Sequence, residues 1–115
     1  MRTAALLGLV ASLTALSTAH AAVDFKVQAR CIAAYEVAAG ALESDTADSA
    51  TKKRIAKLDA ARTKVSLALA TRTDLSPADS QTGQRERKAE EARLGNLPLA
   101  TVLQAADKCD SDLGS

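Results

Sequence analysis

The sequence is poor in aromatic residues and in histidine, and each shortage excludes a class of function. Phe25 and Tyr35 are the aromatic residues, tryptophan is absent, and His20 is the single histidine. Binding of nucleic acid by stacking bases on aromatic rings is therefore excluded. Because His20 lies in a segment that we predict to be cleaved, acid–base catalysis by histidine is excluded as well. We predict no nucleic-acid partner.

An excess of charge of one sign is also missing. The chain has 15 Lys and Arg against 14 Asp and Glu, so no overall field favours a polyanionic partner. Its two cysteines stand far apart, without the neighbouring cysteine or histidine that a zinc or covalent haem site requires. Glu86, Glu90 and Glu91 alternate with basic residues, which predicts a solvated helix face with intrahelical ion pairs, not a catalytic carboxylate pair. We predict no metal, no cofactor and no enzymatic activity.

Residues 1–21 have the pattern of a secretory signal peptide. Arg2 precedes a weakly polar run from Ala4 to Leu16, and Ala19-His20-Ala21 is a small-residue pattern typical of signal peptidase cleavage. The run is shorter than the roughly 20 apolar residues that a membrane-spanning helix needs. We predict cleavage before Ala22 and a product without stable membrane insertion, located in the periplasm or secreted.

Residues 22–115 are predicted to form a single small domain closed by a disulfide between Cys31 and Cys109. The chain is alanine-rich, so each helix contact buries little apolar area and a small domain gains little from its core. Two cysteines in an exported chain of this size are expected to pair, because thiols oxidise in that compartment. In the chain-entropy account such a bridge contributes about 4 kcal/mol.

Four helices are predicted from apolar residues at spacings of three and four and from capping signals. The predicted helices run from Asp24 to Glu43, from Asp48 or Ser49 onward, from Ser76-Pro77 to Gly95-Asn96, and from Pro98 to about Asp110, with a frayed tail to Ser115. The third is the weakest, since residues 80–84 have no apolar stripe, and a start near Gln84 is its alternative.

The apolar stripes define the predicted core. They comprise Val27, Cys31, Ala34, Tyr35, Ala38 and Leu42 in the first helix, Ile55, Leu58, Ala61, Val65, Ala68 and Leu69 in the second, and Leu99, Val102, Leu103, Ala106 and Cys109 in the fourth. Short loops favour an up-down-up-down order, which places the start of the first helix and the end of the fourth at the same end. The predicted fold is an all-α, small antiparallel bundle of about four helices closed by one disulfide.

Two polar side chains fall within these stripes. Arg62 interrupts the stripe of the second helix, and we expect its stem to follow the core while its guanidinium reaches water or a carboxylate such as Glu36 or Glu43. Tyr35 lies one turn after Cys31, which predicts that its ring packs over the disulfide as an ordinary core side chain.

The basic residues Lys52, Lys53, Arg54 and Lys57 cluster at the start of the second helix. The positive end of the helix dipole disfavours cations there, so the arrangement costs some stability. The cluster is therefore a candidate interaction surface for an acidic protein surface, an anionic lipid or a cell-envelope polymer.

A single-disulfide helical protein of about this size resembles, in outline, the small periplasmic acid-stress chaperones, although none of their sequence motifs is present. The resemblance implies a stress-related role and is one of fold outline. We predict a non-enzymatic exported protein that binds another envelope protein through the faces of the second and third helices. The alternative is a carrier or binder of a small apolar ligand or lipid in a cleft between alanine-lined helices.

Overall fold

Four helices make up the part of the chain that the computed structural model describes, residues 23–43 and 48–114. They are α1 (Phe25–Glu43), α2 (Ser49–Ala70), α3 (Pro77–Gly95) and α4 (Leu99–Asp112). A disulfide joins Cys31 to Cys109. The predicted fold class, an all-α bundle of four helices closed by one disulfide, is confirmed. The predicted signal peptide, residues 1–21, lies outside the described residues.

Short polar side chains cap the starts of α2 and α3. Asp48 Oδ1 accepts a hydrogen bond from the backbone N–H of Thr51 at 2.7 Å. Ser76 and Asp79 form a capping box, in which each side chain accepts from the other's backbone N–H at 3.1 Å. Pro77 occupies the first position of α3. These bonds satisfy backbone donors that the first helical turn cannot pair. For this reason the starts of α2 and α3 could be predicted from their capping residues.

The helix α3 is continuous from Pro77, so the alternative start near Gln84 is wrong. Gly83 lies buried inside it, and a Cβ atom built there would be 3.7 Å from Phe25 Cδ2 and 3.9 Å from Ala29 Cβ. These are ordinary van der Waals distances, so α3 packs closely against α1 at Gly83 and a Cβ atom would also fit there. Packing against α1 therefore holds a segment whose own sequence has no apolar stripe.

The central element of the bundle is α1. It packs against α2, α3 and α4, whereas the other helix pairs make few or no contacts. Its buried residues cover most of its circumference: Gln28, Ala29, Cys31, Ile32, Ala33, Ala34, Tyr35, Ala38, Ala39 and Leu42. A helix with so wide an apolar surface is stable only when several neighbours cover it. The prediction of one apolar face was too narrow, because it omitted Ala29, Ile32, Ala33 and Ala39.

The most regular apolar stripe belongs to α2, which is nevertheless among the more exposed helices. Leu58 and Val65 are its buried residues. Ala68, predicted to lie in the stripe, is exposed, and Leu67 on the outer side is 64% exposed. Because α2 makes its main contacts with α1 alone, only one narrow face of it is covered.

Arg72, just beyond α2, fixes the direction of that helix. Its Nη1 donates to the Val23 carbonyl oxygen at 2.7 Å and to Gln28 Oε1 at 2.8 Å, both near the start of α1. Its Nε and Nη2 donate to the two carboxylate oxygens of Asp74 at 3.0 and 2.7 Å. The end of α2 therefore lies beside the start of α1, and the two helices are antiparallel.

The end of α4 lies at the same end of the bundle. Leu113, just past α4, lines a small cavity together with Val23 and Gln28, and it packs against the core. The helix itself extends to Asp112, beyond the predicted end near Asp110. The predicted placement of the two cysteines, near the start of α1 and the end of α4, therefore agrees with the structure.

Replacing Gly40 with alanine is expected to raise the free energy of unfolding by about 0.5–1 kcal/mol. Gly40 is exposed in the interior of α1, and a Cβ atom there would have no neighbour within 4 Å. Gly114→Ala is the control, because Gly114 has a φ of +72° that disfavours a side chain. Urea unfolding of both variants checks the expectation, and equal gains from the two would contradict it.

Candidate functional site: the cleft between α2 and α4

The basic cluster predicted as an interaction surface lies on the first half of α2. Lys52, Lys53, Arg54 and Lys57 are all exposed. The helix begins at Ser49, so Lys52 lies at the end of its first turn and the other three cations lie beyond it, where the helix dipole has little effect. The carboxylate of Asp48 caps the backbone at this start. The start of α2 is therefore stabilised by the Asp48 cap and not by the four cations.

Three residues of this cluster line a cleft between α2 and α4 with a volume of about 550 Å³. The residues that line this α2–α4 cleft are Lys53, Arg54, Lys57, Leu58 and Ala61 of α2, Asp107 and Asp110 of α4, and Tyr35 of α1. The cleft exists because both helices pack on α1 but make few or no contacts with each other. Its α2 wall is basic and its α4 wall is acidic. The acidic wall was missed in the sequence, where it is separated from the cluster by about 50 residues.

One ion pair crosses the α2–α4 cleft. Arg54 Nη2 lies 3.8 Å from Asp107 Oδ1, and the two side chains are 47% and 68% exposed. Ion pairs as exposed as this one contribute little, from 0 to about 1 kcal/mol. Lys53 and Lys57 form no ion pair with any residue in the ranges 23–43 and 48–114. The α2 wall therefore presents two cations that an incoming anionic group can pair with.

The acidic wall is attached to α1 by a partly buried hydrogen bond. Tyr35 Oη donates to Asp110 Oδ1 at 2.6 Å, and the Tyr35 residue is only 1% exposed. Burial raises the pKa of Tyr35 well above its usual value, and the hydrogen bond to Asp110 and the negative charge of that carboxylate act in the same direction. Tyr35 belongs to the buried core cluster, so its predicted role as a core side chain is confirmed, and the packing of its ring over the disulfide stays a prediction.

Glu36 joins three helices on another side of α1. Its Oε1 accepts a hydrogen bond from Arg62 Nη1 of α2 at 3.5 Å and one from Arg87 Nη2 of α3 at 2.5 Å. The prediction that Arg62 reaches a carboxylate such as Glu36 is confirmed. The participation of Arg87 was not predicted, because no sequence spacing relates α3 to α1.

The ion pairs of the α3 carboxylates agree with the prediction only in part. Glu90 and Glu91 pair with arginines of the same helix. The pairs are Arg93–Glu90 at 2.6 Å and Arg87–Glu91 at 3.4 Å. The hydrogen bond from Arg93 lowers the pKa of Glu90. Glu86 instead pairs with Arg30 of α1 at 3.2 Å, so for this residue the expected intrahelical pairing was wrong.

A second cavity is the place where a small apolar ligand would have to bind. It has a volume of about 260 Å³ and lies between α1, the end of α2 and the start of α3, with Phe25, Ile32, Leu69 and Leu75 among its lining residues. Sites for drug-sized ligands usually have volumes of about 300–1,000 Å³. The cavity therefore suits only a very small molecule or a part of a larger one.

The fold and the cleft define a small, disulfide-closed four-helix protein with a charged surface cleft. Comparisons with protein-family models, with curated proteins and with solved structures find no match to this chain. In the described ranges, no helix is long and apolar enough to cross a membrane, and no three potential metal-ligating side chains lie together. The chain's own residues are thus the basis of the functional proposal.

Proposed function

We propose that this is an exported, non-enzymatic protein that binds another protein of the cell envelope through the α2–α4 cleft. The observation behind the proposal is that Lys53 and Lys57 line the cleft without an ion pair in the described ranges. Exposed cations that form no ion pair within the described ranges are available to an anionic group of a partner, and charge complementarity of this kind favours binding.

The partner that suits the cleft is a protein segment with carboxylates one helical turn apart. Lys53 and Lys57 are four residues apart on α2, so their side chains leave the helix on the same face. Leu58 and Ala61 supply apolar surface for a small side chain of the partner. The acidic α4 wall disfavours a uniformly acidic polymer, because such a chain would be repelled by Asp107 and Asp110.

Binding can be tested with a fluorescent helical peptide that has glutamates four residues apart and with its glutamine counterpart. Fluorescence anisotropy should show binding of the glutamate peptide only, weakening as salt screens the charges. The double variant Lys53→Glu, Lys57→Glu should bind roughly 5- to 30-fold more weakly, since reversing two charges costs about 1–2 kcal/mol.

The matched control reverses two exposed lysines outside the cleft, Lys26→Glu and Lys88→Glu. This control changes the net charge by the same amount as the cleft variant and should leave the dissociation constant within about two-fold of the wild-type value. It therefore separates an effect of the cleft lysines from an effect of net charge. Equal binding by both double variants, or equal binding of the two peptides, would refute the proposal. Circular dichroism of each variant shows that the helices are intact.

Export is part of the proposal and is supported by the cleavage pattern of residues 1–21 together with the Cys31–Cys109 disulfide. We expect the intact mass of the protein from the periplasm or medium to begin at Ala22 and no cysteine to react with a thiol label. A full-length chain with two reactive thiols would contradict export to an oxidising compartment.

The second candidate function is binding of a small, partly apolar ligand, and the apolar part of the wall of the 260 Å³ cavity, which includes Phe25, Ile32 and Leu69, favours it. Native mass spectrometry of the purified protein distinguishes this candidate function from binding of a protein partner in the α2–α4 cleft. A co-purifying lipid or apolar molecule that is lost on Gly83→Leu, which would fill this cavity, supports ligand binding. Bare protein supports the cleft proposal over this alternative.

A further inference from the structure

The disulfide lines a different cleft, which α1, α3 and α4 form. This disulfide cleft has a volume of about 210 Å³, and Cys31 and Cys109 line it together with Arg30, Arg93, Ala105 and Lys108. Cys109 is 7% exposed and Cys31 is 2% exposed. A small reagent that enters the cleft therefore reaches a bridge that is otherwise inside the core, and Cys109 is the more accessible half.

The charge of the disulfide cleft favours an anionic reagent. Three cations line it against two carboxylates, Glu90 and Asp112, which are paired with Arg93 and Lys108. The remaining cation is Arg30, whose carboxylate partner, Glu86, does not line the cleft. The Arg30 guanidinium thus lines the cleft without its carboxylate partner, and a cation at this position attracts a thiolate and stabilises the cysteine thiolate that leaves when a disulfide is attacked.

The attachment of α4 to the bundle depends on the disulfide more than the attachment of any other helix does. Its substantial contacts are with α1 alone. Besides the disulfide, the polar links between α4 and the other helices include the Tyr35–Asp110 hydrogen bond and the exposed Arg54–Asp107 pair. A helix of 14 residues is marginal in water without tertiary contacts.

The other three helices have links that do not involve α4. Glu36 joins α1 to Arg62 of α2 and to Arg87 of α3. Arg72 joins the end of α2 to the start of α1. These bonds, and the larger contacts that α1 makes with α2 and α3, link the three helices without any residue of α4.

The geometry points to the Cys31–Cys109 disulfide as a site of thiol–disulfide exchange with a small anionic thiol, and to release of α4 from α1 as its result. The thiolate attacks Cys109 Sγ through the disulfide cleft, forming a mixed disulfide, and the Cys31 thiolate leaves. A second thiolate attacks the reagent's sulfur in the mixed disulfide and frees Cys109. Two thiols are oxidised to one disulfide, and both cysteine thiolates take up protons.

The test treats the oxidised protein with reduced glutathione, quenches with an alkylating agent and maps the adducts by mass spectrometry. We expect the glutathione adduct on Cys109. Hydrogen exchange of the fully reduced protein should show loss of protection in residues 99–112 and retained protection in α1, α2 and α3. Uniform loss of protection in all four helices, or unchanged protection of α4, would overturn the inference.

Two pairs of variants test access through the cleft. Ala105→Leu, which narrows it, should slow reduction by glutathione several-fold, whereas Ala100→Leu at an exposed position of α4 should not. Lys108→Gln should slow glutathione more than the neutral thiol mercaptoethanol, and Lys88→Gln should affect neither. Equal rates for Ala105→Leu and Ala100→Leu would show that reduction requires opening of the whole domain, and would refute the proposed route.

Discussion

Replacing Cys31 and Cys109 together with serine is expected to lower the free energy of unfolding by up to about 4 kcal/mol. The bridge joins residues separated by 78 positions, which is most of the described chain. Closing so long a loop removes conformational entropy from the unfolded state, and this entropy returns when the bridge is lost. A reduced chain that has released α4 has less native structure to lose, so the measured value lies at or below this figure.

Loss of the disulfide has a large effect on stability because the core consists mainly of small side chains. The buried apolar residues include many alanines and only one large aromatic, Tyr35, and small domains have total stabilities of about 5–15 kcal/mol. Loss of the bridge therefore removes a substantial fraction of the total.

Urea unfolding followed by circular dichroism measures the change. The matched control is the double alanine variant, Cys31→Ala with Cys109→Ala, which removes the bridge without burying two hydroxyl groups. Similar losses in the two variants attribute the effect to the bridge, and a larger loss in the serine variant reports the cost of the buried hydroxyls. A loss below about 1 kcal/mol in the alanine variant would contradict the prediction.

Replacing Tyr35 with alanine is expected to cost about 3–5 kcal/mol, the usual cost of truncating a large buried aromatic side chain. Tyr35 is 1% exposed and is the largest fully buried side chain in the described part of the chain. Its ring packs in the core between α1 and α4, and its hydroxyl anchors Asp110. Tyr35→Phe keeps the ring and removes only the hydrogen bond to a charged acceptor, so it should cost about 1.5–3 kcal/mol. Equal costs for the two variants would contradict the assigned packing.

The raised pKa of Tyr35 also predicts how stability depends on alkaline pH. The folded protein keeps the phenolic proton above the pH near 10 at which an unfolded tyrosine loses it. The contribution of this group is therefore fully present below about pH 10, and above it stability falls by up to about 1.4 kcal/mol per pH unit.

This pH dependence can be measured directly, because Tyr35 is the only tyrosine and tryptophan is absent. Phenolate absorbance should increase only together with alkaline unfolding, and the Tyr35→Phe variant should lose stability less steeply above pH 10. A phenolate signal that develops near pH 10 while the helices remain intact would show that the phenol is accessible, contrary to the structure.

The sequence was sufficient for features that depend on neighbouring residues. The starts of α2 and α3 are fixed by Asp48 and by the Ser76–Asp79 capping box, whose bonds span three residues. The disulfide followed from the presence of only two cysteines in a chain predicted to be exported. The basic cluster was recognised because its members are adjacent along α2.

The sequence was insufficient where a residue's surroundings come from another helix. The Glu36–Arg87 and Arg30–Glu86 pairs join residues 51 and 56 positions apart, and Asp107 meets Arg54 across a similar distance along the chain. Such pairs depend on the rotation and offset of packed helices, and alanine-rich surfaces permit several of these at similar cost.

The sequence by itself therefore determined the four helices, their order along the chain, the bridge that closes them and the basic half of the α2–α4 cleft. Only the tertiary structure decided that α1 is covered on most sides, that Asp107 and Asp110 face the basic cluster, and that a cleft leads to the disulfide. The physical reason is range: capping bonds and helical periodicity act within one or two turns, whereas burial and interhelical pairing depend on where the whole bundle places each helix.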